Sequence, residues 1–464
     1  MAGEKHYDFI VIGSGTSGGT AAYMLQHGGM KGLLLEAGSY FKKEDFTMSE
    51  EEYTPKLFWG GGCDFNKSFD LAFIRGRCVG GGSVINQALM DRFDDTALND
   101  WKADTGIDFF TRDGMDAHYN YAENQIVRQE IPPEWRNKNA HKFIEGMDNI
   151  GREWKPMVRA QCDCATPEGQ DCICCLGGCL RGSKQSTLET AIPRAEAEGL
   201  EIQAEITVEH IEHKKDGVTV HAVQHGAKKV FHAAKVVLAA GALGTSQLLL
   251  NSGFSKALPT LGHKFCMHPQ FMNFAIFDEI VDSHKGALQG CKSDDPVFRK
   301  RGFKLENVFA PPIAVGILHQ RLGAKLIDFL KQYRNFACIE VCVRDENTGI
   351  LTTDKHGRIR IEKKLTDQDK SRCADGRSMV HQLFDSLKPK EIFHADWPFG
   401  LHLMGGCCIG QDGASSVVSP EFQVHGHENL YCADSSVFPN APGINPGLTI
   451  FAMSHRMASS MLEG

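Results

Sequence analysis

The chain has 464 residues, of which 42% are hydrophobic and 23% charged, and a formal net charge of −8 at pH 7. That is ample material for a core, and the length suits two or three domains' worth of mass or one large interleaved pair. The acidic balance and the lack of a long Lys/Arg run exclude a nucleic-acid partner, and no apolar stretch reaches the roughly 18 residues that span a bilayer.

The opening residues, Met1 to His6, lack an apolar signal core. The expected location is the cytoplasm, or export only together with a signal-bearing partner subunit. Sixteen cysteines in such a chain read better as reduced or metal-bound than as a disulfide framework.

The first predicted element is a strand over Tyr7 to Ile12. The turn GSGTSG, Gly13 to Gly18, follows directly, and a helix from Thr16 to His27 ends at Gly28 and Gly29. In this strand–turn–helix unit Gly13 permits the turn, Gly15 lets a pyrophosphate approach the backbone, and Gly18 lets helix and strand pack closely. A second strand over Gly32 to Leu35 ends in Glu36, about 20 residues beyond the loop, where a carboxylate would accept hydrogen bonds from a ribose diol. The unit predicts a dinucleotide and does not separate FAD from NAD.

A second glycine-rich segment, RGRCVGGGSVIN, covers Arg75 to Asn86. Beyond Asp91 the strand alternation fades. A capping-box sequence at Ser186 to Glu189 predicts a helix to Glu198, with strands at Glu201 to Ile206 and Val218 to Val223. KVVLAAGALGTSQLLL, Lys235 to Leu250, reads as strand, turn and helix. LGHKFCMHP, Leu261 to Pro269, follows, and 270–395 is irregular and rich in Phe. The last segments are GLHLMGGCCIG, Gly400 to Gly410, then YCADSSVFP from Tyr431 and GINPGLT from Gly443.

These segments together resemble the glucose-methanol-choline (GMC) family of FAD-dependent oxidoreductases. The second glycine segment resembles R-G-x-x-x-G-G-S-S-x-x-N, with Gly82 where a Ser is usual. The Lys235 segment resembles V-x-x-A-G-A-x-x-S-P-Q-L-L, and the last two resemble H-x-x-G-T-C-x-M-G and A-D-x-S-V-F-P…N-P-x-L-T. The resemblance implies an α/β fold: a Rossmann-like FAD-binding domain from segments 1–92, 184–265 and 396–464, with an interleaved α+β substrate domain from 93–183 and 266–395. It also implies cofactor contacts from Arg77, Gly80, Gly81, Ser83, Asn86, Val208, Ala240, Asp434, Ser435 and Pro446. His402 and Asn445 are implied to face the reactive part of the flavin.

Oxidising an alcohol needs the hydroxyl proton removed as hydride leaves carbon. A neutral imidazole, with an ordinary pKa of about 6.5, suits the base role, so His402 is expected to be the base and Asn445, which has no titratable proton, to orient the substrate oxygen. The small-molecule substrate is an alcohol of a sugar, lipid or other hydroxyl compound.

Six cysteines, Cys162, Cys164, Cys172, Cys174, Cys175 and Cys179, are crowded as C-x-C-x7-C-x-C-C-x3-C. Vicinal Cys174 and Cys175 make a strained disulfide, and the separated C-x2-C pairs usual for zinc are absent. Cys172, Cys175 and Cys179 fit a [3Fe-4S] cluster, and Cys162 or Cys164 could complete a [4Fe-4S] one. The stretch resembles the cluster loop of the family's sugar dehydrogenases, and its end, GSKQST from Gly182, also resembles a segment of its long-chain alcohol oxidoreductases, which need hold no cluster. Iron–sulfur, zinc and unliganded thiols or disulfides stay open. A cluster would pass electrons singly to a small subunit or cytochrome acceptor, making a dehydrogenase. The alternatives are an oxygen-using oxidase without a cluster, a non-redox flavin-containing lyase of the same fold, or a thiol-based sensor.

Overall fold

The computed structural model describes residues 6–62, 64–162, 164, 175–319, 322–395 and 397–463. In chain order, the elements that frame the site are β1 (His6–Ile12), α1 (Thr16–His27), β2 (Gly32–Leu35), α2 (Gly82–Ile85), β3 (Glu201–Gln203), β4 (Ile206–Lys214), β5 (Gly217–Gln224), β6 (Ala227–Leu238), α3 (Gly241–Asn251), β7 (Cys266–Ile276), β8 (Phe303–Asn307), α4 (Pro312–Leu318), β9 (Phe336–Val343), β10 (Phe399–Met404), β11 (His427–Cys432) and α5 (Gly447–Glu463).

Strands β11, β6, β1, β2 and β3 lie side by side in that order, all parallel. Ile10 at the centre pairs with Val236 on one side and Leu33 on the other. A parallel sheet is covered on both faces, which is why Phe9 to Ile12 of β1 and Leu33 to Leu35 of β2 are continuous apolar runs. Ala21, Ala22 and Leu25 of α1 and Ala452, Met453 and Met457 of α5 join the same core. β6 continues into an antiparallel meander with β5 and β4.

The strand expected over Glu201 to Ile206 is broken in two at Glu205, whose φ is +58°. The helix expected from Ser186 starts only at Ala191. Its would-be first turn is engaged elsewhere: Thr187 Oγ1 donates to the Ser14 carbonyl (3.0 Å), and Thr187 N donates to Ser83 Oγ (3.1 Å).

The second sheet is mainly antiparallel, with β10, β7, β9 and β8 as consecutive neighbours. Strict alternation governs it. Phe271 and Ala275 of β7, Ala337, Ile339, Val341 and Val343 of β9, and Phe303 and Leu305 of β8 form one core with Phe143, Val380 and Leu383 of two covering helices, Lys138–Asn149 and Asp367–Ser386. The even-numbered residues face the other way. Most of the Phe-rich region is thus core. β10 belongs to this sheet although its residues fall in a segment expected to serve the cofactor domain. Among the described residues, no helix is long and apolar enough to cross a membrane.

Candidate active site

A cavity of about 1410 Å³ is lined by residues of both sheets. At one end stands the turn after β1. A Cβ on Gly13, whose φ is +98°, would lie 2.4 Å from the Ala239 carbonyl oxygen, and one on Gly18 would lie 1.8 Å from the Gly13 carbonyl oxygen. Both positions are demanded by packing. Gly15 differs, since the nearest atom to its Cβ position is Gly82 N at 4.0 Å, leaving its backbone open to the cavity. α1 starts there with no side-chain cap and no acid in its first turn, so its first N–H groups are left for an anion.

Glu36 stands in the same wall. Its carboxylate accepts hydrogen bonds from Ser14 Oγ (2.6 Å), Ser14 N (3.0 Å) and Gly38 N (2.9 Å). Burial raises its pKa, and these hydrogen bonds oppose the rise. Ser14 Oγ also accepts the Gly80 N–H at 2.9 Å. This serine, which the sequence reading passed over inside the glycine motif, ties Glu36 and both glycine segments together.

Of the expected cofactor contacts, Gly81, Asn86, Val208, Ala240, Asp434, Ser435 and Pro446 line the cavity. Arg77, Gly80 and Ser83 stand behind its wall. The Arg77 guanidinium lies over the Trp59 ring at 4.9 Å, Gly80 is fastened to Ser14, and Ser83 Oγ donates to the Gly80 carbonyl at 2.6 Å. Of the two arginines in this segment, Arg75, paired with Asp64 at 2.7 Å, reaches the lining. Asp434 is committed to the protein: it accepts from Gly241 N (2.8 Å), Thr245 Oγ1 (2.6 Å) and Ser436 N (2.8 Å), anchoring the start of α3.

The opposite end is built by β10, β7 and the loop before α5. The register of β7 against β10 slips between Met267 and Pro269, and the residue at the slip is His268. His268 Nε2 accepts the Gly443 N–H at 2.9 Å, and its Nδ1 lies 3.0 Å from His402 Nδ1. A neutral imidazole has one donor and one acceptor. Burial drives both imidazoles toward neutrality, His402 down to about 3 with help from the nearby Lys304 charge. His268 therefore holds its proton on Nδ1 and donates to His402 Nδ1, and His402 holds its own on Nε2. Cys342 Sγ lies within 4.8 Å of these ring nitrogens, yet the protonated Nδ1 of His268 leaves no lone pair there for a metal, and burial pushes the Cys342 thiol up.

Asn445 is 5% exposed and accepts through Oδ1 from the ammonium of Lys304, itself 1% exposed and ion-paired with Glu306. The even residues of the second sheet make the floor beside this pair. Gln270 and Lys304 flank Cys342 in one row, and Met272 and Glu306 flank Glu340 in the next. Gln270 Nε2 donates to Glu340 at 2.6 Å, and Gln289 Nε2 donates to Glu306 at 2.9 Å. Burial first, then the Glu306 charge, pushes the Glu340 carboxyl up to about 8. Past this floor the lining turns apolar, with Met272, Val308, Phe309, Ile317, Phe399 and Leu401.

The family model for the GMC oxidoreductase N-terminal region matches residues 7–270, and that for the C-terminal region matches 350–454. The chain belongs to the GMC oxidoreductase family. It is similar to the uncharacterized GMC-type oxidoreductase y4nJ of Sinorhizobium fredii, 26% identical over 98% of this chain and 94% of that one. It is also similar to the long-chain-alcohol oxidase FAO4A of Arabidopsis thaliana, 25% identical over 98% of this chain and 68% of that one. In fold it matches a crystal structure of pyridoxine 4-oxidase with a TM-score of 0.80, at 15% identity and 99% coverage of both chains.

This GMC protein is an FAD-dependent oxidoreductase acting on CH–OH groups. The open Gly15 backbone, the uncapped start of α1 and the Glu36 carboxylate suit the anionic and hydroxyl parts of FAD.

Of the proposed cluster ligands, Cys172 lies outside the described residues. Cys175 is described, and its Sγ accepts from Arg159 Nη2 at 3.3 Å while Lys184 donates to its carbonyl. Burial opposes a thiolate at Cys175, but Arg159 and Lys184 outweigh it and lower the thiol pKa. Lys184 also donates to the carbonyls of Val84 (2.7 Å) and Asn86 (2.6 Å), pinning this stretch to α2. Cys179, in the turn that follows, accepts the Gly182 N–H through its carbonyl at 3.1 Å, and Cys164 N donates to Gln129 at 3.4 Å.

Lys304, Glu306 and Glu340 were missed by the sequence reading, and His268, although within the LGHKFCMHP segment, was given no role. The signal was present in FKLEN, Phe303 to Asn307, and in ACIEVCV, Ala337 to Val343, where charges alternate with or interrupt apolar residues of period two.

Proposed function

We propose that the chain oxidises the hydroxyl of an apolar alcohol to a carbonyl, with FAD along Gly13 to Gly18 and Glu36 and the reacting carbon between the flavin site and the His402 and Asn445 pair. The observation that carries this reading is the one cavity running from Glu36 to that pair. FAD, when bound, supplies the two-electron acceptor for the hydride.

The expected role of His402 changes. With its Nε2 protonated and Nδ1 receiving the His268 proton, His402 acts as a hydrogen-bond donor to the substrate oxygen and not as the base. Asn445, whose Oδ1 is turned to Lys304, donates through Nδ2 to the same oxygen. The hydroxyl proton goes to the Glu340 carboxylate, the cavity-lining acid one register row from Cys342, as the carbon-bound hydrogen leaves with its electron pair. The apolar lining beyond the floor favours an aliphatic or sterol-like body over a sugar.

Dioxygen is the favoured electron acceptor, with hydrogen peroxide as co-product. Support comes from the long-chain-alcohol oxidase among the similar proteins; the Cys175 thiolate that Arg159 and Lys184 favour is equally the form that ligates iron. The competing reading is an iron–sulfur dehydrogenase delivering electrons to a partner. Peroxide formed one-for-one with carbonyl product, in an iron-free and sulfide-free enzyme, is the expected result. Stoichiometric iron with acceptor-dependent turnover would establish the dehydrogenase instead.

The general reading is tested by mixing the anaerobic protein with a panel of alcohols. Bleaching of the flavin by medium- and long-chain alcohols, and none by sugars, is expected; no bleaching by any alcohol would defeat it. For the cofactor end, Gly18→Ala forces a methyl group against the Gly13 carbonyl. This variant is expected to purify with far less bound flavin per protein, measured by visible absorbance.

A further inference from the structure

We propose that Lys304 is a positioning residue that fixes the Asn445 amide with its oxygen turned inward, so that Asn445 Nδ2–H and His402 Nε2–H form a two-donor pocket for the substrate oxygen. The proposal rests on the reading of His402 and Asn445 as the reacting end.

An isolated Asn side chain can rotate its amide by half a turn and present either an acceptor or two donors. Here the choice is removed. An ammonium has donors only, so the amide atom facing Lys304 Nζ must be Oδ1, and Nδ2 is left on the other side. Asn445 lines the cavity, whereas Lys304 does not. Lys304 therefore acts through Asn445 without touching the substrate.

Lys304 is itself held. Its side chain is 1% exposed and paired with Glu306, which is equally buried and takes a second hydrogen bond from Gln289. β8 places both residues on the cavity side by simple alternation, with Phe303 and Leu305 locked in the opposite core. A buried ammonium is costly unless paired, so Lys304 cannot swing away without stranding Glu306. On the other flank, the Gly443 N–H fixes the His268 tautomer and, through it, that of His402. Gly443 lies two residues before Asn445, so one short loop sets both donors.

The test uses the FAD-loaded enzyme and octanamide, whose carbonyl oxygen accepts two hydrogen bonds and which has no CH–OH group to oxidise. Lys304→Met/Glu306→Gln removes the ion pair together, so that neither partner's charge is left buried alone. It is expected to keep FAD and thermal stability, to bind octanamide at least about tenfold more weakly by calorimetry, and to lower the limiting rate of flavin reduction about 10²-fold with a smaller change in KM. Asn445→Asp keeps a partner for Lys304 and replaces only the cavity-facing donor by an acceptor, and should lose at least as much octanamide affinity. Wild-type octanamide affinity in either variant would overturn the proposal. If alcohols fail to reduce the wild-type flavin while octanamide binding still depends on Lys304, the positioning role stands and the alcohol reading falls.

Discussion

His402→Ala lowers the rate constant of anaerobic flavin reduction by alcohol about 10²–10³-fold, the size of effect found when one oxyanion donor is removed, and FAD remains bound. As the hydroxyl proton departs, negative charge builds on the substrate oxygen. In a buried site that charge is stabilised by donors already aimed at it, at no cost of reorganisation. His402 meets this requirement because its proton position is dictated by His268, whose own is dictated by the Gly443 N–H. The variant leaves Glu36 and the first glycine turn untouched, so the flavin content should match the wild type. A variant reduced by alcohol at the wild-type rate would remove His402 from the reacting end.

Glu340→Gln is expected to lower the same rate constant about 10²–10⁴-fold, the range for loss of a general base. Gln keeps the shape of the side chain and a partner for Gln270 while deleting the proton-accepting function. The sign of the accompanying pH effect follows from the direction of the shift. Burial and Glu306 raise the Glu340 pKa to about 8, so the ionised, proton-accepting form is scarce at pH 6 and dominant at pH 9. The wild-type rate should climb through that interval, and the variant's residual rate should not. A variant that retained the wild-type slope would assign the base elsewhere.

Much of the cofactor half was legible in the sequence because its chemistry is written in backbone requirements. Gly13 and Gly18 are positions where a Cβ collides with a carbonyl, and such positions mark themselves by glycine alone. Glu36 was legible because a strand end and a fixed distance locate it. Arg77 is different: Arg75 and Arg77, two residues apart, both lie over the Trp59 ring, at 4.6 and 4.9 Å, and the motif does not say which of them also reaches the cavity. Ser83 likewise matched its motif while serving Gly80 and Thr187.

The proposed reacting end was half legible. His402 and Asn445 stand in recognisable segments, but their roles depend on partners far away in sequence. Lys304 reaches Asn445 across 141 positions and His268 reaches His402 across 134. No local pattern carries such a pairing, and the identity of the proton donor at His402 depends on a third residue, Gly443. The floor acids hid in a different way. Glu340 lies in a strand otherwise apolar on both faces, and only the sheet register reveals that it sits beside Glu306.

The measurement that bears most directly on the donor-pair and carboxylate account is the pH dependence of the anaerobic flavin reduction rate at saturating alcohol, between pH 5 and 9. His402, held down at about 3, stays neutral across the whole range and contributes no inflection there. The account predicts a rate that rises with a single ionisation near 8 and levels above it. A flat profile, or one that inflects near the ordinary histidine value, would contradict it.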